Sequence, residues 1–329
     1  MPWQVPTFAE VQAARGQIAG YLRPTPLFGY PGLDELLAAR VFVKHENHQP
    51  VGAFKVRGGV NLVSRLSPAE RERGVITAST GNHGQSVAWA ARRFGVPATI
   101  CVPEGANPVK TAAIRGLGAE VISRGRDFDE AREHCEQLAA QRGLRYVHSG
   151  NEPLLISGVA TAALEIFADQ PGTEVIIVPV GGGSGAAGAC IVARAVSPAA
   201  RVIGVQSSAA PAAYRSWREG RLVADRSTTF AEGLATRTAF ELPQQILRQH
   251  LDDFVLVSDE QIRAAQGLLI EHTRNLAEAA GAAALAAALV LREQLAGRTV
   301  ALMLSGGNVT RAQLLDVLRA PSSAESKAR

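Results

Sequence analysis

Runs of β-branched and apolar residues alternate along the chain with longer stretches whose apolar positions recur at helical spacing. Val41–Lys44, Gly74–Ser79, Pro97–Val102, Ala119–Ser123, Val175–Val180, Arg201–Val205 and Val300–Ser305 read as strands. Between and after them, Phe54–Leu66, His83–Arg93, Pro108–Leu117, Phe128–Arg142, Gly185–Val196, Ile262–Thr273 and Ala279–Arg292 read as helices. Strands that alternate with helical patterns of roughly 10–15 residues predict parallel sheets with helices on both faces. The expected fold class is therefore α/β. Ligands of such sheets sit beyond the carboxyl ends of the strands, and the unusual glycine and polar clusters of this sequence fall at those ends.

Composition changes the picture mainly by exclusion. With 329 residues and 47% hydrophobic side chains, the chain has material for one large or two moderate domains. No repeat or long linker interrupts it, so a two-domain division has to be interleaved. The 34 basic and 30 acidic residues are scattered, with no basic stripe interleaved with aromatics, so no nucleic-acid partner is expected. The longest apolar run, Ala279–Leu291, is too short and Ala-rich to span a bilayer, and the start of the chain lacks a secretory pattern. The expectation is a cytoplasmic protein with no membrane partner. Cys101, Cys135 and Cys190 fit neither a zinc spacing nor a disulfide framework and read as small core residues. The tail 320–329 is small and polar and expected to be disordered.

Four segments carry candidate chemistry. In the first, Lys55 stands in Phe-Lys-Val-Arg-Gly at the start of a predicted helix. A helix N-terminus is partly positive, so burial there would lower an amine's pKa, as a Schiff-base lysine requires. A surface lysine fits the same position. The second, Ser79-Thr-Gly-Asn-His-Gly-Gln85, joins a strand to a helix. Its small residues suit a carboxylate, and Asn82 offers donor and acceptor to a ligand oxygen; an ordinary helix cap is the alternative. The third, Gly181-Gly-Gly-Ser184-Gly185, follows a buried strand and precedes a helix, which makes a phosphate cradle. It lacks the Lys-Ser/Thr of a P-loop and a clear acidic ribose partner downstream. The fourth, Leu304-Ser305-Gly-Gly-Asn308, reads equally well as a site or as a capped turn.

Together, and in this order, the four segments resemble the fold-type-II pyridoxal-phosphate (PLP) enzymes, above all the serine/threonine dehydratases and serine racemase. The resemblance runs from about Arg23 to Leu318. It implies a tryptophan-synthase-β-like fold of two interleaved three-layer α/β domains with mostly parallel sheets. The large PLP-binding domain would take 1–68 and 152–320, a small mobile domain 69–151, and the tail 321–329. It implies pyridoxal 5'-phosphate bound to Lys55, Phe54 packed beside the ring, and Asn82 on the ring hydroxyl. Gly181, Gly182, Gly183, Ser184 and Gly185 would hold the phosphate, Gly233 would touch the cofactor through its backbone, and Ser305 would face the pyridine nitrogen. Ser79, Thr80, Gly81, Asn82 and His83 would bind the substrate carboxylate. A homodimer or homotetramer is expected.

Some positions depart from the family pattern. Ala53 stands where Ser is frequent, Gly158-Val-Ala-Thr161 where Gly-Gln-Gly-Thr is frequent, and Glu232 where Asp is usual. Thr80 stands at the far-face serine of serine racemase. Gln206 and Ala212 stand where racemase carboxylates hold a divalent metal, so no metal is expected. No regulatory extension is expected after residue 320.

A hydroxyl opposite the ring nitrogen leaves that nitrogen largely neutral and weakens the electron sink, which suits elimination. The expected function is a PLP-dependent dehydratase (ammonia-lyase). It would eliminate water from a small threonine- or serine-like 3-hydroxy amino acid, giving a 2-keto acid and ammonia. The alternatives are a racemase or epimerase with Thr80 as second proton donor, or a dehydratase for 3-hydroxyaspartate, phenylserine or hydroxyectoine-derived substrates. A non-catalytic amino-acid binder is a further class, and the intact Lys55 argues against it.

Overall fold

Among the described residues there are ten strands: β1 (Leu27–Gly29), β2 (Arg40–His45), β3 (Val75–Ala78), β4 (Ala98–Val102), β5 (Glu120–Ser123), β6 (Arg145–Tyr146), β7 (Val175–Pro179), β8 (Arg201–Ser207), β9 (Asp253–Val257) and β10 (Thr299–Leu304). The computed structural model describes residues 3–319, and the tail expected to be disordered lies outside the described residues. The strands make a six-stranded sheet, ordered β1-β2-β10-β7-β8-β9, and a four-stranded sheet, ordered β5-β4-β3-β6. Every pairing is parallel except β1 with β2, which is antiparallel.

The smaller sheet draws its strands only from within residues 75–146, whereas the larger takes strands from both sides of that stretch. The last strand, β10, inserts between β2 and β7, with Leu304 opposite His45 and Leu302 opposite Ile177. That insertion sets the carboxyl ends of three strands side by side, and the turns that follow them converge on one cavity.

One face of the larger sheet is covered by the Ala-rich helix Ala279–Val290, whose residues 280–288 are all buried. The other face carries the helices Pro153–Asp169 and Ser184–Val196. Pro153–Asp169 is not foreshadowed by periodicity. It is buried around almost its whole circumference, and such a helix shows no polar stripe. Its Gly158 packs on the helix Lys55–Val63: a Cβ at Gly158 would lie 2.7 Å from Gly58 Cα. The predicted helix 54–66 is shorter than expected, ending at Val63. The predicted strand 74–79 begins at Val75, because Gly74 adopts φ +98° and closes the preceding helix Pro68–Arg73. All three cysteines are buried and free. Among the described residues no helix is long and apolar enough to cross a membrane.

Candidate active site

Lys55 is the first residue of the helix Lys55–Val63. Its Nζ lies 2.8 Å from Ser184 Oγ and 3.3 Å from the Ser149 carbonyl. The lysine backbone is pinned as well: Ser86 Oγ donates to the Lys55 carbonyl at 2.6 Å. Such proximity needs glycine, since a Cβ at Gly59 would stand 2.4 Å from Ser86 Oγ. Burial brings the Lys55 amine down to about 8. An amine so shifted keeps a usable neutral fraction near neutral pH, which a nucleophile needs.

Under this helix lies a buried ionic cluster that the sequence does not announce. Arg57 reaches Glu46 at 2.7 Å and Glu165 at 2.6 Å, and Lys44 Nζ meets Glu165 at 2.6 Å. Thr161 and Thr25 supply hydroxyls to Arg57 at 3.1 and 3.4 Å. Two cations and two carboxylates thus offset one another, and Arg57 ties the Lys55 helix to the helix Pro153–Asp169.

The glycine turn follows β7 and opens the helix Ser184–Val196. Its backbone is packed on every side. A Cβ at Gly181 would lie 2.1 Å from the Gly233 carbonyl, one at Gly182 2.5 Å from the Phe240 ring, and one at Gly185 3.2 Å from the Phe54 ring. Gly183 takes φ +91°. The glycines bring no side chain of their own to the start of this helix, whose first N–H groups have no intrahelical acceptors and lie at its positive end. This is a cradle for a phosphate, and the residues around it fit PLP. Phe54 packs on Gly185, and Lys55 and Ser184 meet beside it.

The Ser79–His83 loop closes the opposite side. Ser79 Oγ accepts from the N–H of Gly81 at 3.2 Å and of Gly84 at 3.0 Å, which fixes the turn. Thr77 donates its hydroxyl to the Val147 carbonyl at 2.7 Å, so its oxygen accepts from His83 Nε2 at 2.9 Å. His83 is then the Nε2–H tautomer, with Nδ1 an acceptor that has no protein partner. Burial first, then the Lys55 charge, drives its pKa down to about 3. Thr80 and Asn82 line the same cavity as Lys55, Gly181–Gly185, Gly233 and Ser305, and its volume is about 480 Å³. Ser305 follows β10, and its carbonyl accepts from the Phe54 N–H at 3.0 Å.

Glu278 and Lys110, which the sequence did not single out, also line the cavity, as does Asn308 from the end of the fourth segment. Glu278 accepts from Asn82 Nδ2 at 2.7 Å, and Asn308 Nδ2 donates to Asn82 Oδ1 at 2.8 Å. Burial raises the Glu278 carboxyl to about 7. Lys110, from the segment of the smaller sheet, pairs with Glu232 at the cavity rim, where Gln313 also donates to Glu232 at 3.3 Å. The signal for Glu278 is faint: it is the lone acid directly before the Ala279–Leu291 run. At the racemase metal position, Gln206 accepts from the Tyr214 N–H at 3.0 Å and is fully buried. Among the described residues no group of three or more His, Cys, Asp or Glu side chains could hold a metal ion.

Residues 18–306 match the model of the pyridoxal-phosphate-dependent enzymes, and the chain belongs to that family. Its cofactor is pyridoxal 5'-phosphate. Within the family it is 38% identical to the L-threonine ammonia-lyase of Thermotoga maritima, over 92% of this chain and 76% of that one. It is 36% identical to the L-threo-3-hydroxyaspartate ammonia-lyase of Saccharomyces cerevisiae, over 93% of this chain and 94% of that one. The crystal structure of serine racemase from Dictyostelium discoideum superposes with a TM-score of 0.87 at 32% identity, covering 93% of this chain and 99% of that one.

Proposed function

We propose that this chain is a PLP-dependent ammonia-lyase that removes water from a small 3-hydroxy amino acid, threonine- or serine-like, and yields a 2-keto acid and ammonia. The observation that carries this reading is the position of Lys55 Nζ, 2.8 Å from Ser184 Oγ, at the mouth of the glycine cradle. Lys55 would hold the cofactor covalently. Gly181, Gly182, Gly183, Ser184 and Gly185 would hold its phosphate, with Phe54 and the Gly233 backbone beside the ring and Ser305 at its nitrogen. Bound there, PLP supplies an electron sink for negative charge at the substrate α-carbon. Ser79, Thr80, Gly81, Asn82 and His83 take the substrate carboxylate at the start of the helix Asn82–Phe94. Lys55 Nζ moves the proton at the α-carbon, and the Ser184 hydroxyl orients that amine. Loss of the α-proton and the β-hydroxyl gives a 2-amino-enoic acid, which tautomerises and hydrolyses in water.

The named activities of the relatives supply the first substrates to try, threonine and 3-hydroxyaspartate, followed by serine and phenylserine. Thr80 lines the cavity that Lys55 enters, which keeps a racemase with Thr80 as second proton donor as the competing reading. Keto acid and ammonia released in equal amounts from one member of the panel support the lyase. Inversion of the α-carbon without keto acid supports the racemase. The division into 1–68 with 152–320 and 69–151 is likewise our reading, supported by the confinement of the smaller sheet to residues 75–146. A homodimer or homotetramer is likewise our reading, supported by the exposed Phe28 on the edge strand β1; a cytoplasmic location remains the expectation from the sequence. Sedimentation of the purified protein tests the assembly.

A further inference from the structure

Asn82 is tied at both ends of its carboxamide, and the direction of the tie is set by the backbone. The Val51 carbonyl can only accept, and Asn308 Nδ2 donates to it at 2.8 Å. The same nitrogen donates its second N–H to Asn82 Oδ1 at 2.8 Å. Asn82 therefore turns its oxygen toward Asn308 and its nitrogen toward Glu278, which accepts at 2.7 Å. One N–H of Asn82 is used on Glu278, and the other remains for a ligand. Space for this arrangement is reserved around the carboxyl. Glu278 precedes the helix Ala279–Val290, its own N–H donates to the Gly306 carbonyl at 3.1 Å, and a Cβ at Gly306 would lie 2.6 Å from Glu278 Oε1. Gly52, at φ +67°, leaves the corresponding room beside Asn308.

We infer that Asn308 and Glu278 are positioning residues that act through Asn82: they fix its carboxamide as a hydrogen-bond donor toward the ring oxygen of the bound cofactor and so favour the ionised form of that oxygen. A free carboxamide could turn either end to the ligand; this one cannot. The inference rests on the PLP reading and on the placement of Asn82 at the ring oxygen. The charged and titratable side chains that line the same cavity are Lys55, His83, Lys110, Glu232, Arg263 and Asp316, with Glu278 itself. They stay in place in all the variants below.

The test is spectroscopic and uses the cofactor-loaded protein without substrate. Ionised and protonated ring oxygens absorb at different wavelengths, so a pH titration of the visible spectrum gives the midpoint of that ionisation. Asn308→Ala is expected to raise the midpoint by about one unit and to weaken cofactor retention about tenfold, the scale of one charge-assisted hydrogen bond. Asn82→Ala should do at least as much. The decisive comparison is the double variant: in the Asn82→Ala background, Asn308→Ala should add no further shift, because Asn308 works only through Asn82. An unchanged midpoint in Asn308→Ala, or shifts that simply add in the double variant, overturns the inference. If Asn308→Ala fails to fold, Asn308→Leu replaces it. Its side chain is similar in size and carries neither donor nor charge, so the same rise is expected, and its absence is equally fatal. A wild-type protein that takes up no PLP at all would instead sink the cofactor reading itself.

Discussion

Lys55 combines a place in the first turn of a helix with burial, and both disfavour its charge. The amine sits near 8 because burial removes water from it, and the hydroxyl and carbonyl within its reach are neutral acceptors that offset this less than a carboxylate would. Ser305 makes the complementary contribution if it stands at the ring nitrogen, where a hydroxyl, unlike a carboxylate, does not stabilise a proton. Ser305→Asp is therefore expected to change the spectrum of the bound cofactor and to lower turnover about tenfold or more. Unchanged spectrum and turnover would remove Ser305 from the site. The sequence singled out both residues, Lys55 by its Phe-Lys-Val-Arg-Gly context at the start of a predicted helix and Ser305 by the two glycines that follow it at a predicted strand end. Glu278 was not, and Asn308 only closed the fourth segment without a role of its own. A lone acid before an alanine run and an asparagine after two glycines have ordinary uses, and only the insertion of β10 between β2 and β7 brings them to Asn82.

Among the elements, the glycine turn and the Lys55 helix depend on close approach. Gly181→Ala would drive a Cβ to 2.1 Å from the Gly233 carbonyl, a backbone atom with little freedom to move. The strain of such overpacking is roughly 1–3 kcal/mol, and cofactor retention is expected to fall at least about tenfold. Gly81→Ala meets nothing within 4 Å and serves as the contrast, with retention near wild type. Equilibrium dialysis of the two variants separates a packed cradle from a loose loop. The helices follow the same logic. Glu165→Ala leaves Lys44 and Arg57 with one carboxylate, Glu46, in a buried cluster. Breaking a buried pair costs about 3–5 kcal/mol, which denaturant unfolding would measure. A loss under about 1 kcal/mol would mean that the cluster is solvated. The sequence showed most of the elements that carry the site, since strands and amphipathic helices declare themselves by period. It hid Pro153–Asp169, which has no polar face, and with it Glu165.

For the whole molecule, buried histidines set the response to acid. Burial is the first cause that lowers His45 and His148 to about 4 and His83 to about 3, from an ordinary 6.5. Between those values these histidines bind more protons in the unfolded chain than in the folded one, so their contribution to stability is complete above pH 6.5 and is lost as the pH drops toward 3. Glu278 acts in the opposite sense: raised to about 7 from 4.5, it makes stability fall as the pH rises through that interval. Three groups oppose one, so unfolding of the cofactor-free protein should need less urea at pH 5 than at pH 7, and His83→Gln should narrow the difference. Equal midpoints at the two values, or a lower one at pH 7, would show that the histidines are hydrated.

On the proposed function, the chemistry of the whole molecule would rest on one covalent link, between the cofactor and Lys55. Borohydride reduction of the PLP-loaded protein, followed by digestion and peptide mapping, fixes that link permanently and locates it. The label is expected on the peptide that carries Phe54 and Lys55, and Lys55→Ala is expected to take no label and release no keto acid. Label on Lys44, Lys110 or any other lysine, or keto acid formed at the wild-type rate by Lys55→Ala, would contradict the assignment.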